Sequence, residues 1–162
     1  MTSSTENSDH LTRVGRPFLA RRLAQLHELL AEQGQELMQA EGVDLDARLG
    51  SVFHLVATRP GLSVAELAEE LGLSHQLATY RIKKLVEAGL VSQDRDPGDR
   101  TRSILQPTAK ARPVIEQLET VMSQLDKVYA ALFEELGVDL LDITSRARKA
   151  LTETSLLERT KS

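Results

Sequence analysis

The sequence contains no cysteine and no tryptophan. Without thiols there is no disulfide, no thiolate nucleophile, no cysteine-ligated zinc or iron–sulfur site and no thiol-based redox sensor, and a reducing cytoplasm is the expected compartment. Aromatic residues make up only 3% of the 162 positions, so a core has to be aliphatic. That favours packed helices over a β-sandwich. No run approaches the roughly 18 apolar residues that a membrane helix needs, so no membrane partner is expected. The first ten residues, MTSSTENSDH, lack an apolar stretch and are not expected to act as a secretory signal. Catalytic signatures are missing as well. His10, His27, His54 and His75 fall in no H-E-x-x-H frame, and there is no Gly-rich phosphate loop and no nucleophile elbow. Neither an enzyme nor a cofactor is expected. His27 and His54, with Glu28 and Glu32 nearby, are the one set that zinc could use, but their scattered spacing favours ordinary helix residues, so no metal site is assigned.

What is present is 41% apolar and 27% charged residues, enough for one domain or one small module with helical extensions. The formal net charge is −4, but it is unevenly spread. From His75 to Arg112 there are eight basic residues (Arg81, Lys83, Lys84, Arg95, Arg100, Arg102, Lys110, Arg112) against four acids (Glu87, Asp94, Asp96, Asp99). The rest of the chain holds twelve bases against twenty acids. An acidic protein with one basic segment has a candidate face for phosphates.

Residues 1–14 read as a disordered polar tail. Pro17 suits a first helical turn, and Leu19, Leu23, Leu26, Leu30 and Leu37 then mark a long amphipathic helix that ends near Gly42. Asp44 can cap a second helix bearing Leu49, Val52, Phe53 and Val56, which stops before Pro60. Ser63 and Glu66 form a capping box, flanked by Leu62 and Leu67 in the positions of a hydrophobic staple. Gly72 can close this short helix in the left-handed conformation. Only Leu73 separates it from Ser74, which can cap a further helix running to about Ala88, with Gly89 as its stop. Two helices joined by so short a glycine-containing turn are a helix-turn-helix candidate. Leu90-Val91 opens a strand, Asp96-Pro97-Gly98-Asp99 is a turn signal, and Thr101 to Gln106 reads as the returning strand. Beyond Pro107 a seam of Val114, Leu118, Val121, Leu125, Val128, Leu132 and Leu136 alternates spacings of four and three, as along a coiled coil. Ile115, Met122, Tyr129 and Phe133 form a second stripe. Pro113 means either that this helix starts later than Thr108 or that its first turns are kinked. Gly137 breaks it, and Asp139 or Asp142 can begin a last helix carrying Leu140, Ile143, Ala147, Leu151 and Thr154.

At about 100° per residue, Ala78, Ile82, Leu85 and Val86 share the core side of the helix after Ser74. Gln76, Tyr80, Lys83 and Lys84 lie opposite, with His75, Thr79 and Arg81 on the flanks. This is the chemistry of a helix in the DNA major groove: Gln bonds adenine bidentately, while Lys and Arg reach guanine or phosphate. Ser74 and the helix N-terminus can hold a backbone phosphate. Any surface helix shows polar residues opposite apolar ones; the turn before it and the hairpin after it favour the DNA reading. Arg95, Arg100 and Arg102 bracket the hairpin tip, where arginine suits the negative potential of a minor groove. The plainer alternative there is a solvated loop in which Asp94, Asp96 and Asp99 pair with the arginines.

Leu73-Ser74, Leu85, Gly89-Leu90-Val91, Asp99-Arg100 and Thr108 together resemble the MarR family of winged-helix regulators. The match covers about Asp44 to Arg112 by motif, and the flanking helices in kind. The chain departs from the family pattern in two places. The arginine of its Asp-x-Arg wing element falls on Thr101, between Arg100 and Arg102, and its Leu-Thr-x-x-Gly element reads Pro107-Thr108-Ala109-Lys110-Ala111. Thr79-Tyr80-Arg81-Ile82-Lys83-Lys84-Leu85 is also similar to an ArsR-type recognition helix. The resemblance implies a mainly α fold with a small β-hairpin wing. It places a tail at 1–14, a dimerisation helix at 15–42, a winged helix-turn-helix at 43–107 and a dimerising helical hairpin at 108–162. It implies a homodimer on a pseudo-palindromic operator in double-stranded DNA, with Ser74, His75, Gln76, Thr79, Tyr80, Arg81, Lys83, Lys84, Arg95, Arg100 and Arg102 as the contact set. It further implies a repressor released by a small-molecule effector. Phe53, Tyr129 and Phe133 are better explained as core than as the lining of an effector pocket. The rival expectation is a winged helix that binds protein rather than DNA, and salt dependence separates the two.

Overall fold

The computed structural model describes residues 14–161; the expected polar tail at 1–14 thus lies outside the described residues but for Val14. The chain divides into two compact units, one ending at Val121 and the other beginning at Met122.

In the first unit a 3-10 turn at Arg16–Phe18, with Pro17 in it, leads into helix α1, Leu19–Ala40. Gly42 ends this segment with φ +72°. Helix α2, Ala47–Thr58, is capped by Asp46, whose carboxylate accepts from the Arg48 amide at 2.9 Å, and not by Asp44. The choice between these two aspartates is made from a distance. Gln35 of α1 donates to the Leu45 carbonyl at 3.2 Å and accepts from the Ala47 amide at 2.7 Å, which pins the helix start just after Asp46.

Helix α3, Val64–Leu71, carries the full capping box between Ser63 and Glu66 and closes on Gly72 in the left-handed conformation, φ +61°. Two residues later Ser74 caps helix α4, His75–Glu87, by accepting from the Leu77 amide at 3.2 Å. Strands β1, Val91–Arg95, and β2, Ser103–Pro107, form an antiparallel pair with Val91 opposite Pro107 and Arg95 opposite Ser103. A helix-turn-helix followed by such a hairpin is a winged helix.

The core of this unit is aliphatic around one ring. Val52, Phe53 and Val56 of α2, Leu67 of α3, Ala78, Ile82 and Leu85 of α4, and Leu90, Val91, Ile104 and Leu105 at the hairpin base are all buried. Each of these side chains other than Ala78 contributes about 1.5–3 kcal/mol by leaving water. Val86, expected on the core side of α4, is exposed instead. Two backbone devices hold the hairpin down. Leu105 exchanges both of its backbone bonds, at 2.8 Å, with Gly61 and Leu62 on the outer edge of β2. Thr108 donates through its hydroxyl to the Gly89 carbonyl at 2.6 Å and through its amide to Leu90 at 3.0 Å. The hairpin exit is thereby tied to the end of α4.

Helix α5, Ala111–Leu136, crosses the boundary between the units. It starts late enough that Pro113 falls in its first turn, where the missing N–H has no intrahelical partner to lose. Ala111, Leu118 and Val121 are buried in the first unit. In the second unit Tyr129 and Phe133 stack with centroids 6.5 Å apart. Gly137, φ +67°, ends the helix. Asp139 then caps helix α6, Leu140–Glu153, by accepting from the Leu141 and Asp142 amides. Thr154, expected on that helix, is its C-cap. A short turn α7, Leu156–Arg159, follows with its own capping box between Ser155 and Glu158, a feature the sequence reading missed.

Candidate nucleic-acid interface

The Ser74 cap fixes the first turn of α4, and burial of Ala78, Ile82 and Leu85 fixes its rotation. The opposite face is therefore set. Ser74, His75, Gln76, Thr79, Tyr80, Lys83 and Lys84 are exposed, and Arg81 is half-buried at the flank. Several of these side chains are only lightly engaged. Thr79 returns its hydroxyl to the His75 carbonyl at 2.8 Å. Lys83 and Lys84 both reach Glu87, at 3.9 and 3.3 Å, and Lys84 also lies 5.8 Å from the Tyr80 ring centre. Exposed pairs of this kind contribute about 0–1 kcal/mol and are easily exchanged for a stronger anion.

The turn of the wing is built by its acids. Asp96 accepts from the Gly98 amide at 2.8 Å, and Asp99 accepts from the Thr101 hydroxyl at 2.6 Å and the Thr101 amide at 2.9 Å. Those two bonds, the hydroxyl's first, lower the Asp99 pKa. Asp94 takes the Ser92 hydroxyl at 2.6 Å. The expected pairing of wing acids with wing arginines therefore occurs at one residue: Arg102 meets Asp96 at 3.0 Å. Arg95 instead donates to the Arg100 carbonyl at 2.9 Å, across the turn. The Arg100 guanidinium has no hydrogen-bond or ion-pair partner among the described residues, and it stands exposed at the tip.

Arg102 has a second carboxylate. Its other terminal nitrogen lies 2.5 Å from Glu66, the capping-box glutamate of α3. Glu66 also accepts from the Ser63 amide at 2.7 Å and the Ser63 hydroxyl at 2.8 Å. The backbone bond from Ser63, followed by the bond from Arg102, pushes its pKa down to about 2. Sequence reasoning assigned Glu66 to the cap alone, and no local signal connects it with a residue 36 positions away. Between the start of α3, the His75–Thr79–Ile82–Val86 flank of α4 and the hairpin lies an open groove of about 730 Å³. Val64, Ala65, Ile82 and Val86 supply apolar surface to it, and Lys83 and Arg102 supply its cations.

His27 lies exposed on α1 and His54 half-buried on α2. Among the described residues no three His, Asp or Glu side chains gather as a metal site, and no helix is long and apolar enough to cross a membrane.

Residues 50–100 match the model of the MarR family. The chain is similar to the HTH-type transcriptional regulator BilQ of Clostridium symbiosum (strain WAL-14163), with 26% identity over 113 residues, 69% of this chain and 77% of the relative. Its fold is similar to that of the PcaV transcriptional regulator from Streptomyces coelicolor, solved in complex with its natural ligand. There the TM-score is 0.61 at 27% identity, over 82% of this chain and 90% of the other. The transcriptional repressor CouR, solved on a 23-mer DNA duplex, shares the fold with a TM-score of 0.67 at 21% identity, over 91% and 99% of the two chains.

Proposed function

We propose that this chain, a MarR-family winged-helix transcription regulator, binds a pseudo-palindromic operator in double-stranded DNA as a homodimer and represses until a small ligand releases it. The observation that carries this reading is the pairing of two exposed cationic features. The outward face of α4 presents Gln76, Tyr80, Lys83 and Lys84, and the wing tip presents Arg100 with no competing carboxylate bound to it.

In the proposed complex α4 enters the major groove. Gln76 reads a base edge, and His75, Thr79, Tyr80 and Arg81 flank it. Lys83, Lys84 and the Ser74 end of the helix meet phosphates. Arg100, backed by Arg95, reaches the adjacent minor groove. Self-association is supported by the leucines that α1 leaves exposed, Leu19, Leu23, Leu26 and Leu29, and by those of the second unit, Leu141, Leu156 and Leu157. A ligand response is supported by similarity to PcaV, itself a ligand-bound regulator.

The test is selection of the purified protein on a randomised duplex pool at two salt concentrations. The expected result is an inverted repeat with half-sites about 10 base pairs apart, lost at the higher salt through counterion release. No enrichment at either salt would overturn the DNA reading and favour a winged helix that binds protein.

A further inference from the structure

We propose that Arg102 is a positioning residue: it sets the wing against the start of α3 so that Arg100 reaches the DNA, and does not itself touch the duplex. This inference rests on the DNA-binding reading above. It starts from what the guanidinium already holds. One terminal nitrogen is 3.0 Å from Asp96 in the wing, and the other is 2.5 Å from Glu66 in α3. The same second nitrogen lies 3.5 Å from the Gly61 carbonyl, on the segment that pairs with β2. Its partner Glu66 is fixed by the Ser63 amide and hydroxyl, so the brace ends on a capped helix terminus and not on a free side chain.

The charges decide between touching and positioning. Arg102 sits between two carboxylates, so the cluster carries a net negative charge where a phosphate would have to approach. A phosphate contact would first have to displace a carboxylate already in place. Arg100 meets no such obstacle. The brace also acts where the hairpin needs it. The backbone of Arg102 closes the wing turn, accepting from the Asp96 amide and donating to the Asp99 carbonyl, each at 3.0 Å. Holding the Arg102 side chain to α3 therefore holds the whole tip, with Arg100 two residues away, in one orientation relative to α4. Preorganising a contact in this way lowers the cost of ordering it on binding.

The test uses Arg102→Gln and Glu66→Gln in the full-length protein. Glutamine at position 66 still serves a capping box, so that change removes the ion pair while leaving the helix start capped. Hydrogen exchange in the free protein is read first: both variants should raise exchange of the Asp96 and Arg102 amides. Operator affinity is read second. Each variant should weaken binding about tenfold, and either change should cost little when Arg100 is already Gln, because both act through that residue. If Arg102 touched a phosphate directly, Glu66→Gln would tighten binding by freeing a cation, and Arg102→Gln would add in full to Arg100→Gln. That pattern would overturn the proposal. So would unchanged exchange in both variants of a protein that binds its operator. A wild-type protein that selects no duplex at all would instead overturn the proposed function, and the exchange data would show that failure to be separate from the brace.

Discussion

The winged helix and the second unit are written in the same alphabet and end differently. From α2 to β2 most apolar positions leave solvent: Val52, Phe53, Leu67, Ala78, Leu85 and Leu105 are fully buried, while Leu77 and Val86 stay exposed. From Met122 on, no described residue is buried, although the helical spacing of apolar residues is as regular. Leu141, Leu156 and Leu157 keep 69%, 71% and 68% of their surface. An amphipathic stripe is only an offer of burial, and something must take it up. In the winged helix three helices and a hairpin cover one another, so the information is self-contained. On α1, and separately in the second unit, large apolar side chains remain exposed, and apolar surface of that kind is what an association site offers. One region thus encodes a fold, and the other leaves its apolar stripes for the proposed self-association.

The sharpest way to break this contrast is to remove the second region's last helices. The full chain should sediment as the proposed dimer and a chain ending at Asp139 as a monomer, while the winged helix keeps its far-ultraviolet signature. A truncated chain that still sediments as a dimer would move the interface elsewhere. Next in size are paired single substitutions. Leu85→Ala should cost about 2–5 kcal/mol in urea unfolding, the range for emptying a filled core site. Leu156→Ala, on the exposed side of the comparison, should change the unfolding of the monomer by less than about 0.5 kcal/mol. Equal losses from the two would show that both regions are core.

The same contrast explains what could be read from the sequence. The capping box at Ser63 and Glu66, the glycine stop at Gly72, the cap at Ser74 and the glycine at 89 all stand as expected, because each is decided within a few residues. The matching box at Ser155 and Glu158 is just as local. What could not be read is settled at a distance. Asp46 rather than Asp44 caps α2 because Gln35 reaches in from α1. Val86 turns to solvent because the hairpin leaves a groove beside it. The wheel counts positions on a helix and knows nothing of its neighbours. Among the candidate site residues the sequence located the α4 face, but three wing arginines looked alike until their partners were known. Arg95 is spent on a carbonyl, Arg102 on two carboxylates, and Arg100 is left over.

Within the winged helix the proposed contact set offers a finer contrast, between reading and holding. Gln76→Ala should relax base preference at one operator position by about 1–3 kcal/mol of discrimination. Arg100→Ala should weaken all duplexes alike and reduce the salt slope by about one unit. Competition binding against single-base operator variants separates the two. If both substitutions weakened every sequence equally, the roles assigned to helix and tip would be wrong.

The smallest expected effect concerns pH and separates the braced carboxylate from the rest of the acidic surface. Glu66 ionises at about 2 against an ordinary 4.5, chiefly through the Ser63 amide and then through Arg102. A group that binds its proton more weakly when folded stabilises the fold in its ionised form. That contribution is complete above about 4.5, and it drains away as pH falls from there toward about 2. The cap of α3 and the wing brace should therefore be indifferent to pH from 5 to 8. Below 4.5 the thermal midpoint should fall, and exchange at the Ser63 and Arg102 amides should rise. Asp99 and Glu158 are lowered in the same direction by their own turn and cap bonds, so they give wild type and variant a shared slope. The difference between wild type and Glu66→Gln isolates the one residue. Because Glu66 is exposed, solvent screens its pairing and the difference should be modest. It should nevertheless shrink as the pH approaches 2, where about half of the wild-type carboxyl is protonated, and vanish below that, where the neutral acid resembles the amide. Parallel profiles throughout would mean that the brace contributes nothing to the folded state.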